Sequence, residues 1–299
     1  MKILVFIKEV PDIRVPIAYD ESAQKLRSEW NVPILNPADQ SALYAALKIK
    51  QNVPGSHIIL IHLGPVSGEH WIREGLALGC DEGVRVWDEG FDGIHAHGKA
   101  LVFARMARIL EFDLILTGAR SLDTGNNQIG ALLASHLRIP CAGSVIALEM
   151  GVEKRSVIAL RRLAQGYQAR IEAPLPLVVA TEAREESPQD APLPLLIDAT
   201  EKAIPCFDCA DLGIPRTLLQ QEDGLLLYGP LRFPKARLKG AAAPDSFLPA
   251  FLRIRKLIEG TITSREGRIV SGKEDHVVEE FFQTLYKEGW LDHLRERER

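Results

Sequence analysis

The sequence predicts an α/β protein built on a doubly wound parallel sheet, with an extended C-terminal arm. Short aliphatic runs alternate with segments whose apolar residues recur at helical spacing through the N-terminal half of the chain. This alternation is typical of strand–helix–strand units, whose parallel strands are buried on both faces. One of these strands is followed by a long polar turn, at the position where open parallel sheets bind ligands.

The strands and helices can be placed in order along the chain. The aliphatic runs that predict parallel strands are 2–8, 57–63, 84–87 and 112–116. The first helix is predicted to begin at Asn36-Pro37, with asparagine as its N-cap and proline at the first helical position. After Leu137 come β-prone segments that extend or edge the sheet, at 142–148, 156–163, 168–172 and 177–181.

Composition limits the functional classes. The chain has 299 residues, a net charge of -4, 46% hydrophobic residues and four cysteines. We expect a cytoplasmic protein, because no apolar run reaches the ~20 residues that span a bilayer and no signal pattern opens the chain. The negative charge and the lack of an aromatic and basic platform argue against nucleic acid as a partner. The Cys206-Phe207-Asp208-Cys209 pair lacks the further ligands of a zinc site, so we expect no metal.

The C-terminal third is less regular. Residues 182–215 are rich in Pro, Glu, Asp and Ala, and 191–197 forms a proline-rich segment with an apolar tip. Such a tip is either a binding patch or a loop packed on its own domain. Apolar residues between Val277 and Leu285 predict an amphipathic helix. We infer an arm that covers a surface of its own domain or of another chain.

The polar turn 118–128 carries the clearest candidate site. Asp123 and Thr124 can cap locally, and Gly125 allows close approach of a ligand. Asn126, Asn127 and Gln128 place side-chain amides at the start of the next helix. A phosphate group fits such a helix N-terminus, although an ordinary capped turn has the same pattern. No motif of a nucleophile with its base is found, so we expect no catalytic residue, and this favours a carrier or a binding protein.

Several stretches together resemble the β subunit of electron transfer flavoproteins. They are the opening KILVFIKEVPD, the Asn-Pro helix start in ILNPADQSALYAALKIK, the Leu63-Gly64-Pro65 turn, the helix end IREGLALGCDEGVRV and the loop GARSLDTGNNQIG. The resemblance spans roughly residues 1 to 200. It implies a nucleotide-binding α/β domain at 1–183, a partner-recognition loop at 184–202 and a C-terminal arm at 203–299 that packs on an α subunit.

The resemblance also implies cofactors and site residues. The α subunit of this family holds the redox-active FAD, and the β subunit carries AMP, or a second FAD in electron-bifurcating members. By motif, the nucleotide pocket would use Phe6, Asn36, Leu63, Gly118, Asp123, Thr124, Gly125, Asn126, Asn127, Gln128 and Ile129. Phe6 and Ile129 depart from the family pattern, which has a small residue and a threonine there. The Asn126-Asn127 pair is nearer the AMP form, whereas Lys8 to Asp12 resembles bifurcating members.

The resemblance implies a function and partners as well. The chain would be the β subunit of a heterodimer that carries electrons from a flavin dehydrogenase of the acyl-CoA dehydrogenase type to a downstream acceptor. Leu193-Pro194 matches the position of the docking leucine, although the basic residues that usually follow are missing. The alternatives are the FAD-containing subunit of an electron-bifurcating flavoprotein and a stand-alone adenine-nucleotide sensor. The long arm argues against the sensor, which has no need of it.

Overall fold

The computed structural model describes residues 1–15, 19–20, 25–26, 32–151, 155–184, 191–225, 247–259, 272 and 274–287. The chain forms two compact units, Met1–Arg232 and Phe233–Arg299. The first unit contains the central sheet, and the described residues of the second form two helices. None of the helices within the described residues is long and apolar enough to cross a membrane.

The strands and helices are numbered in chain order. The strands are β1 Lys2–Ile7, β2 Glu9–Pro11, β3 Tyr19–Asp20, β4 Lys25–Leu26, β5 Pro33–Leu35, β6 His57–Leu63, β7 Glu82–Val86, β8 Leu114–Gly118, β9 Cys141–Met150, β10 Ser156–Arg162, β11 Gln168–Pro174, β12 Leu177–Thr181 and β13 Cys206–Phe207. The helices are α1 Pro37–Asn52, α2 Glu69–Leu78, α3 Ala96–Leu110, α4 Ile129–Leu137, α5 Leu193–Glu201, α6 Arg216–Asp223, α7 Ala250–Glu259 and α8 Glu274–Lys287.

The central sheet confirms the predicted fold class. Its nine strands lie in the order β11-β10-β9-β12-β8-β1-β6-β7-β13, and β1 pairs in parallel with both β6 and β8. Ile3 and Val5 pack into the core on one face of the sheet, while Leu4 and Phe6 pack into the core on the other. Burial on both faces explains why β1 reads as a continuous aliphatic run.

The four β-prone segments after α4 form strands, but they do not all lie at the edge. β9, β10 and β11 form an antiparallel extension. β12 instead returns to the middle of the sheet, where it pairs in parallel with β8 and β9. All five residues of β12 are buried, and burial of a short aliphatic strand on both faces is what a central position requires.

The region after residue 191 differs from the irregular loop that the sequence predicted. Leu193–Glu201 is the helix α5, which packs against α2 through the buried Ala199 and the partly buried Leu196. Beyond it, β13 adds a parallel strand to β7, and α6 packs on α3. The first compact unit therefore continues past the predicted boundary at residue 183, because these segments bury apolar residues on the α/β core. The sequence also predicts that Gly289 caps the last helix and that 295–299 is a solvated charged end, and both lie outside the described residues.

Candidate functional site

A cavity of about 310 Å³ lies at the carboxyl ends of β1, β6 and β8. Helices leave the sheet on opposite sides at such a point, so that a crevice forms between the strand ends. The cavity is lined by Phe6, Ile7, Lys8, Asn36, Asp39, Leu63, Ile94, His95, Ala96, Lys99, Phe103, Thr117, Gly118, Ala119, Arg120, Ser121, Thr124, Asn126, Asn127, Gln128 and Ile129. Its size is at the lower end of the range for small-molecule sites.

The structure brings most of the sequence-predicted site residues to this one cavity. Those that line it are Phe6, Asn36, Leu63, Gly118, Thr124, Asn126, Asn127, Gln128 and Ile129. Asp123 and Gly125 belong to the same loop but are not among the lining residues. Gly125 instead shapes the loop, since it has a φ of +62°, a conformation that glycine adopts without strain.

Asn36 holds the loop that precedes α4. It stands at the N-cap position of α1, as predicted, but its side chain makes no capping hydrogen bond there. Its amide nitrogen donates to the carbonyl of Arg120 at 3.0 Å, and its amide oxygen accepts from the backbone N–H of Leu122 at 3.2 Å. These two bonds tie the start of α1 to the site loop. The sequence predicted the position of Asn36 but not this use of its side chain.

Asp39 carries a buried carboxyl group that joins two strand ends, those of β1 and β8, and was missed as a site residue. Its two oxygens accept from the backbone N–H groups of Lys8 at 2.9 Å and Gly118 at 2.8 Å. Burial raises the pKa of Asp39 to about 7, despite these bonds and one involving Asn36. A side chain on Gly118 would meet Asp39 directly, because its Cβ would lie 2.2 Å from Oδ1. The signal in the sequence that could have indicated this residue was an acid two residues after Pro37, in the first turn of α1.

Three cationic side chains line the cavity. Lys8 forms an ion pair with Asp123, and Arg120 lies 3.8 Å from the carboxylate of Glu182. Burial, the largest single influence, opposes ionisation of Asp123, but the hydrogen bonds from Lys8, Ser121 and the backbone of Thr124 and the charge of Lys8 together outweigh it and lower the pKa. The third cation is Lys99 in the first turn of α3, whose pKa is lowered by burial and by the neighbouring charge of Lys8. No pattern in the sequence indicated Lys99, since only the packing of α3 places it at the cavity.

Two polar atoms at the cavity lack partners within the described part of the protein. They are Oγ1 of Thr117 and Oε1 of Gln128, both shielded from solvent. Thr117 is 2% exposed, so its unbonded hydroxyl is costly unless a ligand or water completes it. Another part of the lining is an apolar wall, in which the rings of Phe6 and Phe103 lie 4.4 Å apart. The cavity thus combines an aromatic wall, unbonded polar atoms and cations.

The other predicted site lies on α5. Leu193 and Pro194 form the first residues of this helix, and Leu193 is 68% exposed. Leu195 and Ile197 are exposed as well. The C-terminal end of α5 is held by Arg73 of α2, because its guanidinium donates to the carbonyls of Ala199 and Thr200, each at 2.8 Å. No cluster of three metal-ligating side chains occurs among the residues that the structure describes.

The sequence of this chain is similar to those of known proteins. The electron transfer flavoprotein domain matches residues 31–205. The Caffeyl-CoA reductase-Etf complex subunit CarD of Acetobacterium woodii is 31% identical over 215 residues, which cover 72% of this chain and 80% of that protein. The electron transfer flavoprotein subunit beta of Thermoanaerobacterium thermosaccharolyticum is 32% identical over 179 residues, 60% of this chain and 67% of the relative. That of Bacillus subtilis is 27% identical over 274 residues, 91% of this chain and 96% of the relative.

The family match covers more than half of the chain, including the site loop and most of the sheet. It confirms the resemblance that the sequence motifs indicated. The chain belongs to the electron transfer flavoprotein family and is a β subunit of that family.

Proposed function

We propose that this β subunit binds AMP in the cavity at the strand ends. It would pair with an α subunit that holds the redox-active FAD, and the heterodimer would carry electrons in the cytoplasm from a flavin dehydrogenase to a downstream acceptor. FAD supplies the redox chemistry when it is bound. The residues of this chain bind the nucleotide, stiffen the domain and form part of the docking surface.

The observation that carries this proposal is the pair of unbonded polar atoms, Thr117 Oγ1 and Gln128 Oε1, at the edge of a cavity that also holds cations. A nucleotide offers donors and acceptors for such atoms and a negative charge for the cations. The aromatic pair Phe6 and Phe103 suits an adenine ring, which packs on apolar and aromatic walls. Together these features support a ligand with an adenine ring at one end and a phosphate group at the other.

The residues would have distinct roles. Asn127 and Gln128 lie at the N-terminus of α4, where free backbone N–H groups and side-chain amides suit a phosphate group. Asp123 holds Lys8 at the mouth of the loop through their ion pair. Asn36 and Asp39 fix the backbone that shapes the site. None of these roles requires proton transfer, in keeping with the expected lack of a catalytic residue.

Extraction of the purified complex tests the proposal. The heterodimer is denatured, and the released nucleotides are identified by mass and absorbance. We expect one AMP per β chain and one FAD per heterodimer. Asn127→Ala should weaken AMP retention by roughly 1–3 kcal/mol, since it leaves a ligand group unpaired. Asn52→Ala, an exposed asparagine at the end of α1, is the matched control. A complex without any adenine nucleotide would disprove the assignment.

A second candidate ligand for the same site is FAD, as in an electron-bifurcating flavoprotein. A neighbouring open chamber of about 490 Å³ shares Ile94 and His95 with the cavity and continues along α6. This space supports a ligand longer than AMP. The relative from Acetobacterium woodii is named as a subunit of a reductase-Etf complex. The same extraction separates the two candidates, because this form would release two FAD molecules per heterodimer and no AMP.

The exposed face of α5 supports a docking role for Leu193 and Pro194. Proline near the start of α5 limits the conformations of the segment, and an exposed leucine can anchor in a pocket of the partner. We propose a flavin dehydrogenase of the acyl-CoA dehydrogenase type as that partner. Asp198 and Glu201 stand where the family usually has lysines, so dehydrogenases that read those lysines should couple poorly.

The helices of the second unit support the α subunit as the partner of the arm. Apolar side chains are exposed on α7 and α8, including Phe251 and Ile254 on the first and Val278, Phe281 and Phe282 on the second. Their spacing places those of α8 on one helical face. Deletion of residues 264–299 should leave the first unit folded and lower the affinity for the α subunit. An unchanged affinity in a titration would contradict this role.

A further inference from the structure

Lys99 is a cation that the proposed nucleotide site does not yet explain. It lies in the first turn of α3, on the same helical face as Ala96 and Phe103, and all three line the cavity. Its side chain is half-buried. Across the described residues, its ammonium group forms neither an ion pair nor a hydrogen bond, whereas Lys8 and Arg120 each have a carboxylate partner.

Within the described residues, no carboxylate forms an ion pair with Lys99, and Asp123 and Asp223 attract its ammonium group only at longer range. Asp123 is the nearest acidic residue on the site loop, and it is already paired with Lys8. Asp223 of α6 attracts Lys99 only at a distance, and it accepts a hydrogen bond from the backbone N–H of His95. Burial lowers the pKa of Lys99, and so does Lys8. A partly desolvated cation without a carboxylate in contact is unfavourable, and an anionic ligand would relieve that cost.

Contacts made by neighbouring residues of α3 fix the position of Lys99. The hydrogen bond between His95 and Asp223 joins the start of α3 to the end of α6. Gly98 allows this contact, because a Cβ there would lie 2.9 Å from Oδ1 of Asp223. Phe103, one turn beyond Lys99, packs on Phe6 in the apolar wall. The helix therefore holds the ammonium group at the cavity rather than leaving it to extend into solvent.

We propose that Lys99 is a specificity-determining residue of this site, and that its ammonium group binds a phosphate group of the nucleotide. The inference rests on the proposed function, because it needs a phosphorylated ligand in the cavity. It adds a phosphate contact from α3 to the contacts expected from the loop before α4. This contact would select a phosphorylated nucleoside over the free nucleoside.

The test compares AMP with adenosine. The full-length heterodimer is freed of nucleotide, and the dissociation constants of both ligands are measured by calorimetry for wild type, Lys99→Met and Lys99→Arg. Lys48→Met, which removes an exposed lysine on α1, is the matched control. We expect Lys99→Met to weaken AMP at least tenfold and to change adenosine by less than twofold. Lys99→Arg should recover part of the AMP affinity, and the control should behave as wild type.

A purely structural role of Lys99 predicts different results. In that case Lys99→Met would weaken AMP and adenosine equally and would lower the melting temperature. The proposal expects an unchanged or higher melting temperature, because no protein partner of the ammonium group is lost. Equal weakening of both ligands, or no weakening of either, would overturn the inference. If wild type binds neither AMP nor adenosine, the proposed nucleotide site itself fails, which is a separate result.

Discussion

The cavity at the strand ends and the outer face of α5 are built in opposite ways. The cavity draws its lining from β1, α1, β6, α3, β8 and the loop before α4, and its key polar groups are shielded. The face of α5 comes from one short segment and leaves Leu193 68% exposed. One region is closed by the chain itself, whereas the other is left open.

The difference suits the kind of partner proposed for each region. A small ligand gains affinity from groups held in place before it arrives, so its site depends on many long-range contacts. A docking surface must stay accessible, and a few exposed anchors supply most of its affinity. Substitutions of residues that hold the cavity together, such as Asp39 and Gly118, should therefore affect folding as well as binding, whereas those on the outer face of α5 should affect the encounter with a partner alone.

The largest expected effect concerns the buried carboxyl of Asp39. Its pKa of about 7 in the folded chain lies above the usual value of roughly 3.9 in an unfolded chain. The folded state keeps a proton that the unfolded state releases, so the free energy of unfolding falls as pH rises from about 4 to about 7, by up to about 4 kcal/mol. Asp39→Asn should lack this pH dependence in urea unfolding curves. Asp92→Asn, at an exposed position, is the control, and equal slopes in both variants would refute the prediction.

The next effect concerns the close approach at Gly118. In Gly118→Ala, the new Cβ would lie 2.2 Å from Oδ1 of Asp39 and 2.9 Å from Cβ of Ala38. The end of β8 must then move away from α1, which should cost about 3 kcal/mol of stability and weaken nucleotide retention. Gly143→Ala is the matched control, because a Cβ there meets nothing within 4 Å. Similar chemical denaturation curves for the two variants would show that the strand end tolerates the change.

A smaller effect should separate the inner from the outer face of α5. Arg73→Met removes the charged donor that binds the carbonyls of Ala199 and Thr200. Hydrogen bonds from charged groups contribute about 2 kcal/mol, so the end of α5 should open more often. Hydrogen exchange of the 193–201 backbone measures this opening. Arg162→Met, at an exposed position of β10, should leave the exchange unchanged. Unchanged exchange in Arg73→Met as well would mean that packing alone holds the helix.

The smallest effect, about 1.4 kcal/mol, should appear only in the presence of a partner. Leu193→Ala should slow electron exchange with the dehydrogenase about tenfold, because it removes an apolar anchor. Flavin content and heterodimer formation should stay as in wild type. Leu163→Ala removes a leucine that is 44% exposed at the end of the β10–β11 hairpin and serves as the control. Exchange at the wild-type rate would make α5 a passive surface element.

The sequence by itself determined the fold class and the location of the main candidate site. Alternating aliphatic runs and helical stripes are local patterns that report burial on both faces of parallel strands. The polar turn 118–128 was recognisable because it interrupts that pattern at a strand end. The motifs around Asn36, Leu63 and that turn were also sufficient to indicate the family.

Only the tertiary structure decided how the site is held together. The side chain of Asn36 bonds the loop 84 residues away, and Asp39 joins backbone groups of β8 and of the residue after β1. Lys99 reaches the cavity because α3 packs beside α4, which no local pattern specifies. The helix α5 forms where composition predicted a loop, since Leu196 and Ala199 find apolar partners on the core. These features depend on contacts between residues far apart in sequence, and a local pattern does not contain them.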